Sequence, residues 1–421
     1  MKNVQKIICV FICSVQLTFL TAQDTTQQVV SGRHNSKEQE TKPYVILISA
    51  DGFRFDLAEK YHATNLLKLR QQGVAAKYMT PSFPSVTFPN HYTIVTGLYP
   101  SHHGLVDNTF YDWPRQATYS MGNKKFVADG TWYGGTPLWV LAEKQQMVSA
   151  SFYWVASESN IQNTNPTYYY IYNDKIPIDS RIQTVKDWLQ LPEDKRPHLI
   201  TFYFPEVDHA EHDYGTESKQ TEDAVHFVDE SVGKLNAAVA SLHLPVNFIF
   251  VSDHGMTNVD TVHSISRPLS IDTSKFIVPF GDVLIHMYAK NKNDIQPAYE
   301  ALKKEATDYD VYLAENMPAR WHYSKADDRY NRLGDIILVA RLPEIFNFSR
   351  RRVTPGKHGY DNAFPDMRAS FYAWGPAFKN NMVIDGFENV NVYPLIAHIL
   401  GLTYPANSID GKFEVLQDIL K

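Results

Sequence analysis

Three apolar runs of strand length, each followed within a few residues by an aspartate, constrain this chain more than any other feature. Val45-Ile-Leu-Ile-Ser-Ala50 ends at Asp51-Gly52, Leu199-Ile-Thr-Phe-Tyr-Phe204 leads into Asp208, and Phe248-Ile-Phe-Val251 leads into Asp253-His254-Gly255. A strand that stays apolar on consecutive residues is buried on both faces, as it would be inside a parallel sheet. In open α/β sheets the ligand crevice lies outside the carboxyl ends of the strands, so three acids arriving there independently point to one site.

Between the last two runs, Val225, Val228, Val232, Leu235, Val239 and Leu242 recur at spacings of three and four, the pattern of a long helix with one buried stripe. Residues 56–72, a stretch near 180–190 and a last one around 391–400 also read as helices. Residues 148–155, Ile336-Ile-Leu-Val339 and Phe371-Tyr-Ala-Trp374 read as strands. This alternation predicts an α/β fold built on a doubly wound, mostly parallel sheet with helices on both faces. Residues from about 262 to 356 mix helical and strand-like patches, which predicts an inserted cap subdomain. A chain of 421 residues, 44% hydrophobic, suits one large domain carrying such an insertion.

Residues 1–22 place Lys2 and Lys6 ahead of a short apolar stretch that ends in Leu-Thr-Ala22, and so read as a signal peptide rather than a membrane span. Residues 23–42 are polar and aperiodic, as expected of a solvated leader, and the catalytic fold is expected over 43–421. Both cysteines, Cys9 and Cys13, fall inside the signal segment. An exported chain without disulfides suits a bacterial periplasm better than an animal extracellular fluid. The expected location is therefore periplasmic or secreted, with no membrane span after cleavage. A formal net charge of −6, more negative still without Lys2 and Lys6, gives no reason to expect a nucleic-acid polymer as partner.

Three prolines, Pro81, Pro84 and Pro89, stiffen the run from Thr80 to Gly97, and Pro89 is suited to open a helix. Thr87 then sits on a turn just ahead of a helix N-terminus, whose unpaired N–H groups favour an anion beside its hydroxyl. Taken alone, Ser85 and Thr87 read as turn and capping residues. The acids and histidines elsewhere change that reading. Asp208 and His212, four apart, can share one helix face, and Asp253 with His254 stands at a strand end. With Asp51 and His358 they give three aspartates and three histidines, the oxygen and nitrogen ligands that zinc accepts. The set suffices for two ions.

Asp51-Gly52, Thr87-Phe-Pro-Asn-His-Tyr92, Gly97-Leu-Tyr-Pro100, His103-Gly104, Asp107-Asn108, Asp208 with His212, Ser252-Asp-His-Gly-Met256 and His358-Gly-Tyr-Asp-Asn362 together resemble the nucleotide pyrophosphatase/phosphodiesterase family of the alkaline phosphatase superfamily. They stand in the same order and similar spacing across nearly the whole chain after the leader. The resemblance implies that Asp51, Thr87, Asp253 and His254 bind one zinc ion and that Asp208, His212 and His358 bind a second. Thr87 is then ligand and nucleophile, and Asn108 donates its amide to a non-bridging phosphate oxygen. The implied activity is hydrolysis of small nucleotides and nucleotide derivatives to nucleoside 5′-monophosphates through a phospho-threonine, with ATP giving AMP and pyrophosphate. The chain resembles the family's catalytic domain alone.

On the substrate side the resemblance matches Phe88, Tyr172 and Tyr203 to residues that sandwich the base, where stacking is worth about 1–3 kcal/mol per base. Tyr168, Tyr169 and Tyr170 crowd the same stretch and leave open which tyrosine faces the pocket. Trp154-Val-Ala-Ser157 and Glu211 depart from the family pattern at the expected pocket wall without removing a ligand. Arg350-Arg-Arg352 with Lys357, close to His358, reads as solvated loop charge. Two further readings stay open. One keeps the two-zinc site in a lipid or choline-phosphate phosphodiesterase, or in a phosphomonoesterase. The other is an exported binding protein with structural metals, although such a protein needs no threonine at the nucleophile position.

Overall fold

The three apolar runs are adjacent strands of one nine-stranded sheet. The computed structural model describes residues 25–421, so the signal-peptide expectation for 1–22 lies outside the described residues. Its main sheet contains β1 (Gln28–Val29), β2 (Tyr44–Ala50), β3 (Val74–Ala76), β4 (Ser149–Phe152), β5 (Tyr168–Tyr169), β6 (Leu199–Phe204), β7 (Val246–Val251), β8 (Phe371–Trp374) and β9 (Met382–Ile384). Their spatial order is β1-β5-β4-β6-β2-β7-β8-β3-β9. The run β5-β4-β6-β2-β7 is parallel throughout. Antiparallel pairings appear only toward the edges, where β1 meets β5 and β8 lies between β7 and β3.

Period-two alternation divides the sheet between two cores. Val45, Leu47, Ile249, Val251, Phe371 and Ala373 pack on one face with the helices Thr87–Thr96, Leu138–Lys144 and Val392–Leu400. Ile46, Ile48, Phe248, Phe250, Tyr372 and Trp374 pack on the other with Thr64–Gln71, Ile178–Leu189 and Lys219–Ala240. Each fully buried side chain of this size contributes about 1.5–3 kcal/mol, which is why both faces of the central strands read as apolar. Helices therefore cover both faces, as the sequence pattern leads one to expect. No helix among the described residues is long and apolar enough to cross a membrane.

Two expectations need correction. The described part of residues 23–42 is not a solvated leader, because it supplies the edge strand β1 and the buried Asn35. The Asn35 side chain accepts the Val148 N–H at 2.7 Å and donates to the carbonyls of Glu193 and Arg196, each at 2.8 Å. Polar groups anchored in this way leave no hydrophobic period to read. The single helix expected over 56–72 is two short ones, Leu57–Lys60 and Thr64–Gln71, separated at His62, whose φ is +53°.

Within the expected cap region, Phe276–Ile277, Leu284–Ala289, Ile336–Ala340 and Tyr309–Leu313 form, in that order, a separate four-stranded antiparallel sheet. The helix Ile295–Glu305 accompanies it. Its strands also alternate. Ile285, Met287, Ile336 and Leu338 belong to that sheet's own core, whereas Leu284, Ile337 and Val339 join the main core.

Candidate active site

The parallel strands deliver their acids side by side. Asp51 follows β2 directly, and its N–H donates to the carbonyl of Phe204, at the end of β6, at 2.9 Å. Asp208 lies on the helix Glu206–Tyr214, with its own N–H donating to the Asp51 carbonyl at 3.1 Å. Gly52 sits between them with φ +69°, and its N–H donates to Asp253 Oδ1 at 3.2 Å. A Cβ at Gly52 would stand 3.0 Å from the Asp208 Cα, so both the left-handed backbone and the close approach call for glycine. His254 follows β7, and His358 follows the short strand Gly356–Lys357, which pairs with Thr257–Asn258.

Two ligand-capable sets result. In the first, His254 Nε2 stands 2.9 Å from Asp253 Oδ2 and 3.5 Å from Asp51 Oδ1. In the second, His212 Nε2 and His358 Nε2 stand 3.4 and 3.8 Å from Asp208 Oδ1. The rings of His254 and His358 stack with centroids 3.7 Å apart, so the sets abut. Ligand atoms of Asp208, His212 and His358 all lie within 4.8 Å of one another, as do those of Asp51, Asp208 and His254.

Hydrogen bonding assigns the tautomers. His212, His254 and His358 each set Nδ1 against a backbone carbonyl, of Gly356 at 2.8 Å, Gly255 at 2.9 Å and Ser85 at 2.9 Å. Nδ1–H donates there, which turns each Nε2 toward the carboxyl oxygens. Asp51 Oδ1, Asp208 Oδ1 and Asp253 Oδ2 are buried without a hydrogen-bond partner. Leaving such atoms unpaired costs about 1–3 kcal/mol each, more when charged. Imidazole nitrogens and carboxyl oxygens converging on the same small volumes are what divalent cations satisfy, so the residues fit a metal centre.

The electrostatics agree. Burial, then the charges of Asp253 and Asp208, raise the Asp51 carboxyl well above its ordinary value. Burial, then the neighbouring His254 and His212, hold His358 well below the usual imidazole range, in the neutral form a metal requires. Asp253 is also buried, yet His254 and His91 keep its carboxyl well below the usual range.

The helix Thr87–Thr96 begins at Thr87 itself, so Pro89 occupies its third position instead of opening it. Val86 is the extended residue before it. Thr87 Oγ1 lies 3.2 Å from His254 Nε2, at the edge of the first ligand set. The Phe88 N–H donates to Asn108 Oδ1 at 2.9 Å, which fixes the Asn108 amide beside the helix N-terminus with its NH₂ free to donate.

Among the aromatics expected at the base, Tyr203 has a second attachment, its hydroxyl donating to Asp51 Oδ2 at 2.6 Å. Tyr172 stands 6.1 Å from the Tyr203 ring and is 39% exposed. Tyr168 is buried, and Tyr170 stacks on Phe152 at 4.4 Å, so Tyr172 is the member of its cluster beside Tyr203. Phe88 is half-buried against the main core. A cleft of about 460 Å³ opens beside His212 and His358 and is also lined by Val86, Asn108, Asp282 and Lys357. Neither Trp154 nor Glu211 lines it. Glu211 is fully buried, and Trp154 Nε1 donates to the His91 carbonyl at 3.0 Å.

His91 is the residue that sequence reasoning passed over. Its Nδ1 stands 3.1 Å from the Thr87 carbonyl and 3.2 Å from Asp253 Oδ2, and its Nε2 stands 2.8 Å from Ser49 Oγ. It also groups with Asp51 and Asp253 as a ligand-capable set. The signal was present in the spacing, since His91 follows Thr87 by four residues and shares its helix face.

Residues 45–361 match the family described as type I phosphodiesterase / nucleotide pyrophosphatase. The chain is 36% identical over 402 residues to ectonucleotide pyrophosphatase/phosphodiesterase family member 1 of Mus musculus, covering 90% of this chain and 43% of that protein. It is 34% identical over 400 residues to venom phosphodiesterase of Naja atra, covering 90% of this chain and 46% of the venom protein. The chain thus spans less than half the length of these curated relatives. Among solved structures, murine ectonucleotide pyrophosphatase/phosphodiesterase 5 superposes with a TM-score of 0.83 at 29% identity, covering 90% of this chain and 100% of that one. An inactive threonine-to-alanine variant of the same murine protein, in complex with AMP, gives the same figures.

Proposed function

The chain belongs to the type I phosphodiesterase / nucleotide pyrophosphatase family, and from that premise we propose that it is an exported, two-zinc phosphodiesterase. It hydrolyses nucleotides and nucleotide derivatives to nucleoside 5′-monophosphates through a phospho-threonine. The observation that carries this reading is the Thr87 hydroxyl, 3.2 Å from His254 at a helix N-terminus, beside Asp and His groups with buried, orphaned carboxyl oxygens.

Asp51, Asp253 and His254 would hold one zinc with Thr87, and Asp208, His212 and His358 the other. Mixed imidazole and carboxylate donors suit zinc better than magnesium, which prefers all-oxygen octahedral sites. When bound, two such ions supply Lewis-acid charge that favours deprotonated hydroxyl and water and neutralises the departing oxygen. The chain's own groups do the rest. The Thr87 oxygen forms the bond to phosphorus as the bond to the leaving oxygen breaks, and the leaving group takes its proton from solvent. Water then cleaves the phospho-threonine, restoring the hydroxyl and releasing the monophosphate. The Asn108 amide and the helix N-terminus offer N–H donors to the phosphoryl oxygens as charge builds on them. Phe88, Tyr172 and Tyr203 offer flat surfaces for the base. The export segment proposed for residues 1–22 would place this chemistry outside the cytoplasm.

The test compares nitrophenyl thymidine monophosphate with nitrophenyl phosphate on zinc-loaded protein. The diester should be preferred by kcat/KM, and Phe88→Ala should weaken it. Preference for the monoester would favour the phosphomonoesterase reading. Preference for lysophospholipid or choline-phosphate diesters in the same assay would favour the lipid reading.

A further inference from the structure

The nucleophile belongs to the Asp51/Asp253/His254 side of the site. An in-line displacement sends the leaving oxygen the opposite way, toward Asp208, His212 and His358. The cleft of about 460 Å³ opens on that side, because His212 and His358 line it while Thr87, Asp51 and Asp253 do not. Its lining therefore bears on whatever group departs.

Charge in this cleft is balanced, not cationic. Lys357 is the one lysine or arginine among its described lining residues, and its Nζ lies 2.9 Å from Asp282 Oδ2. The Lys357 side chain is only 16% exposed, so its charge is committed to Asp282. The Arg350–Arg352 run, next along the chain, is not part of the lining. Phe280, between Pro279 and Gly281, also lines the cleft and is 66% exposed although it is a large apolar ring. An exposed aromatic face at the mouth of a cleft suits a flat, uncharged partner. A lysine already paired with Asp282 offers no free positive charge to a polyanion.

We propose that this cleft receives the departing half of the substrate, and that Asp282, Lys357 and Phe280 select an uncharged alcohol, such as the second nucleoside of a dinucleoside monophosphate, over the pyrophosphate of a nucleoside triphosphate. The inference rests on the phosphodiesterase reading and adds a leaving-group preference to it. ATP remains cleavable to AMP and pyrophosphate, but as the poorer substrate relative to what its chemistry allows.

Adenylyl-(3′→5′)-adenosine and ATP test this directly, because both release AMP and differ only in what leaves. Pyrophosphate is intrinsically the better leaving group, so the decisive readout is the ratio of the two kcat/KM values and its response to substitution. In the zinc-loaded wild type the dinucleoside should at least match ATP. Asp282→Asn, which frees the Lys357 ammonium, should shift the ratio toward ATP by about tenfold. Phe280→Ala should raise KM for the dinucleoside more than for ATP. A wild type that prefers ATP tenfold, or a ratio untouched by Asp282→Asn, overturns the proposal. Hydrolysis of nitrophenyl thymidine monophosphate by the same samples separates the two claims. If that diester is cleaved, the phosphodiesterase reading survives such a result; if it is not, both fall.

Discussion

Tyr203 donates its hydroxyl to Asp51 at 2.6 Å, which ties one wall of the expected base pocket to the first ligand set. Two roles meet in one side chain, and substitution can separate them. Tyr203→Phe keeps the ring and removes only the proton on Asp51. Partners of metal ligands typically matter by about 10–100-fold in metal affinity or activity. The variant should therefore lose zinc at lower chelator concentration and show reduced kcat, with KM for a nucleotide diester little changed. Tyr203→Leu should raise KM as well.

Thr87→Ala should keep the fold and most of the metal while turnover falls at least about a thousandfold, equivalent to about 4 kcal/mol of transition-state stabilisation. Steady-state rates together with metal content make the comparison. Near-normal kcat in this variant would mean that water attacks directly. Thr87→Ser should retain measurable activity, because a hydroxyl stays in place.

Metal analysis of active protein should find two zinc ions per chain. Thorough chelation should abolish activity and lower Tm, since buried Asp51, Asp208 and Asp253 oxygens then lose their only compensation. Zinc should restore both. Full activity after chelation would remove the two-ion site from consideration.

Asn108 contributes a donor aimed from a fixed amide, its Oδ1 being occupied by the Phe88 N–H. Asn108→Asp preserves that acceptor and deletes the donor. The expected loss in kcat is about 10²–10³-fold, or about 2.7–4 kcal/mol, the usual consequence of losing one oxyanion donor. An unchanged thermal melt would show that the loss is chemical.

A pH dependence of stability follows from Asp107, whose carboxyl burial pushes up to about 8 against the opposing Asn108 N–H. The folded chain holds this proton where the unfolded chain has released it. Stability from this group is full below the ordinary aspartate value of about 3.9. It falls as pH rises through the window and has been lost by about 8. Asp107→Asn cannot titrate, so its Tm should decline less than that of the wild type across that window. Parallel Tm profiles would defeat the assignment.

The strand runs and the acids at their ends were legible because each had a strong local signature. Residues 45–50, 199–204 and 248–251 are apolar on consecutive positions, and Asp51, Asp208 and Asp253 stand at or just beyond their ends. What escaped had no such signature. Asn35 holds the chain by polar contacts to backbone, which leave no period in the sequence. Pro89 misdirected the helix start, because a proline is tolerated anywhere in the first turn and the carbonyl of extended Val86 already accepts from the Asn90 N–H at 3.2 Å. His91 was visible only as part of a motif, and its contact with Asp253 joins positions far apart in the chain. Lys357 read as one more basic residue until Asp282, 75 positions away, appeared beside it.

The alternation of the strands in the four-stranded sheet has a consequence for engineering. Leu284, Ile337 and Val339 belong to the interior of the main body, whereas Ile285, Met287, Ile336 and Leu338 face the smaller sheet's own core. A chimera that exchanges residues 276–340 for the equivalent piece of a relative would import an intact inner layer. It would also drive foreign side chains into the host's own interior. Swaps confined to the loops that carry Phe280 and Asp282 leave that seam untouched, and are the route by which the leaving-group end could be re-tailored without rebuilding the protein around it.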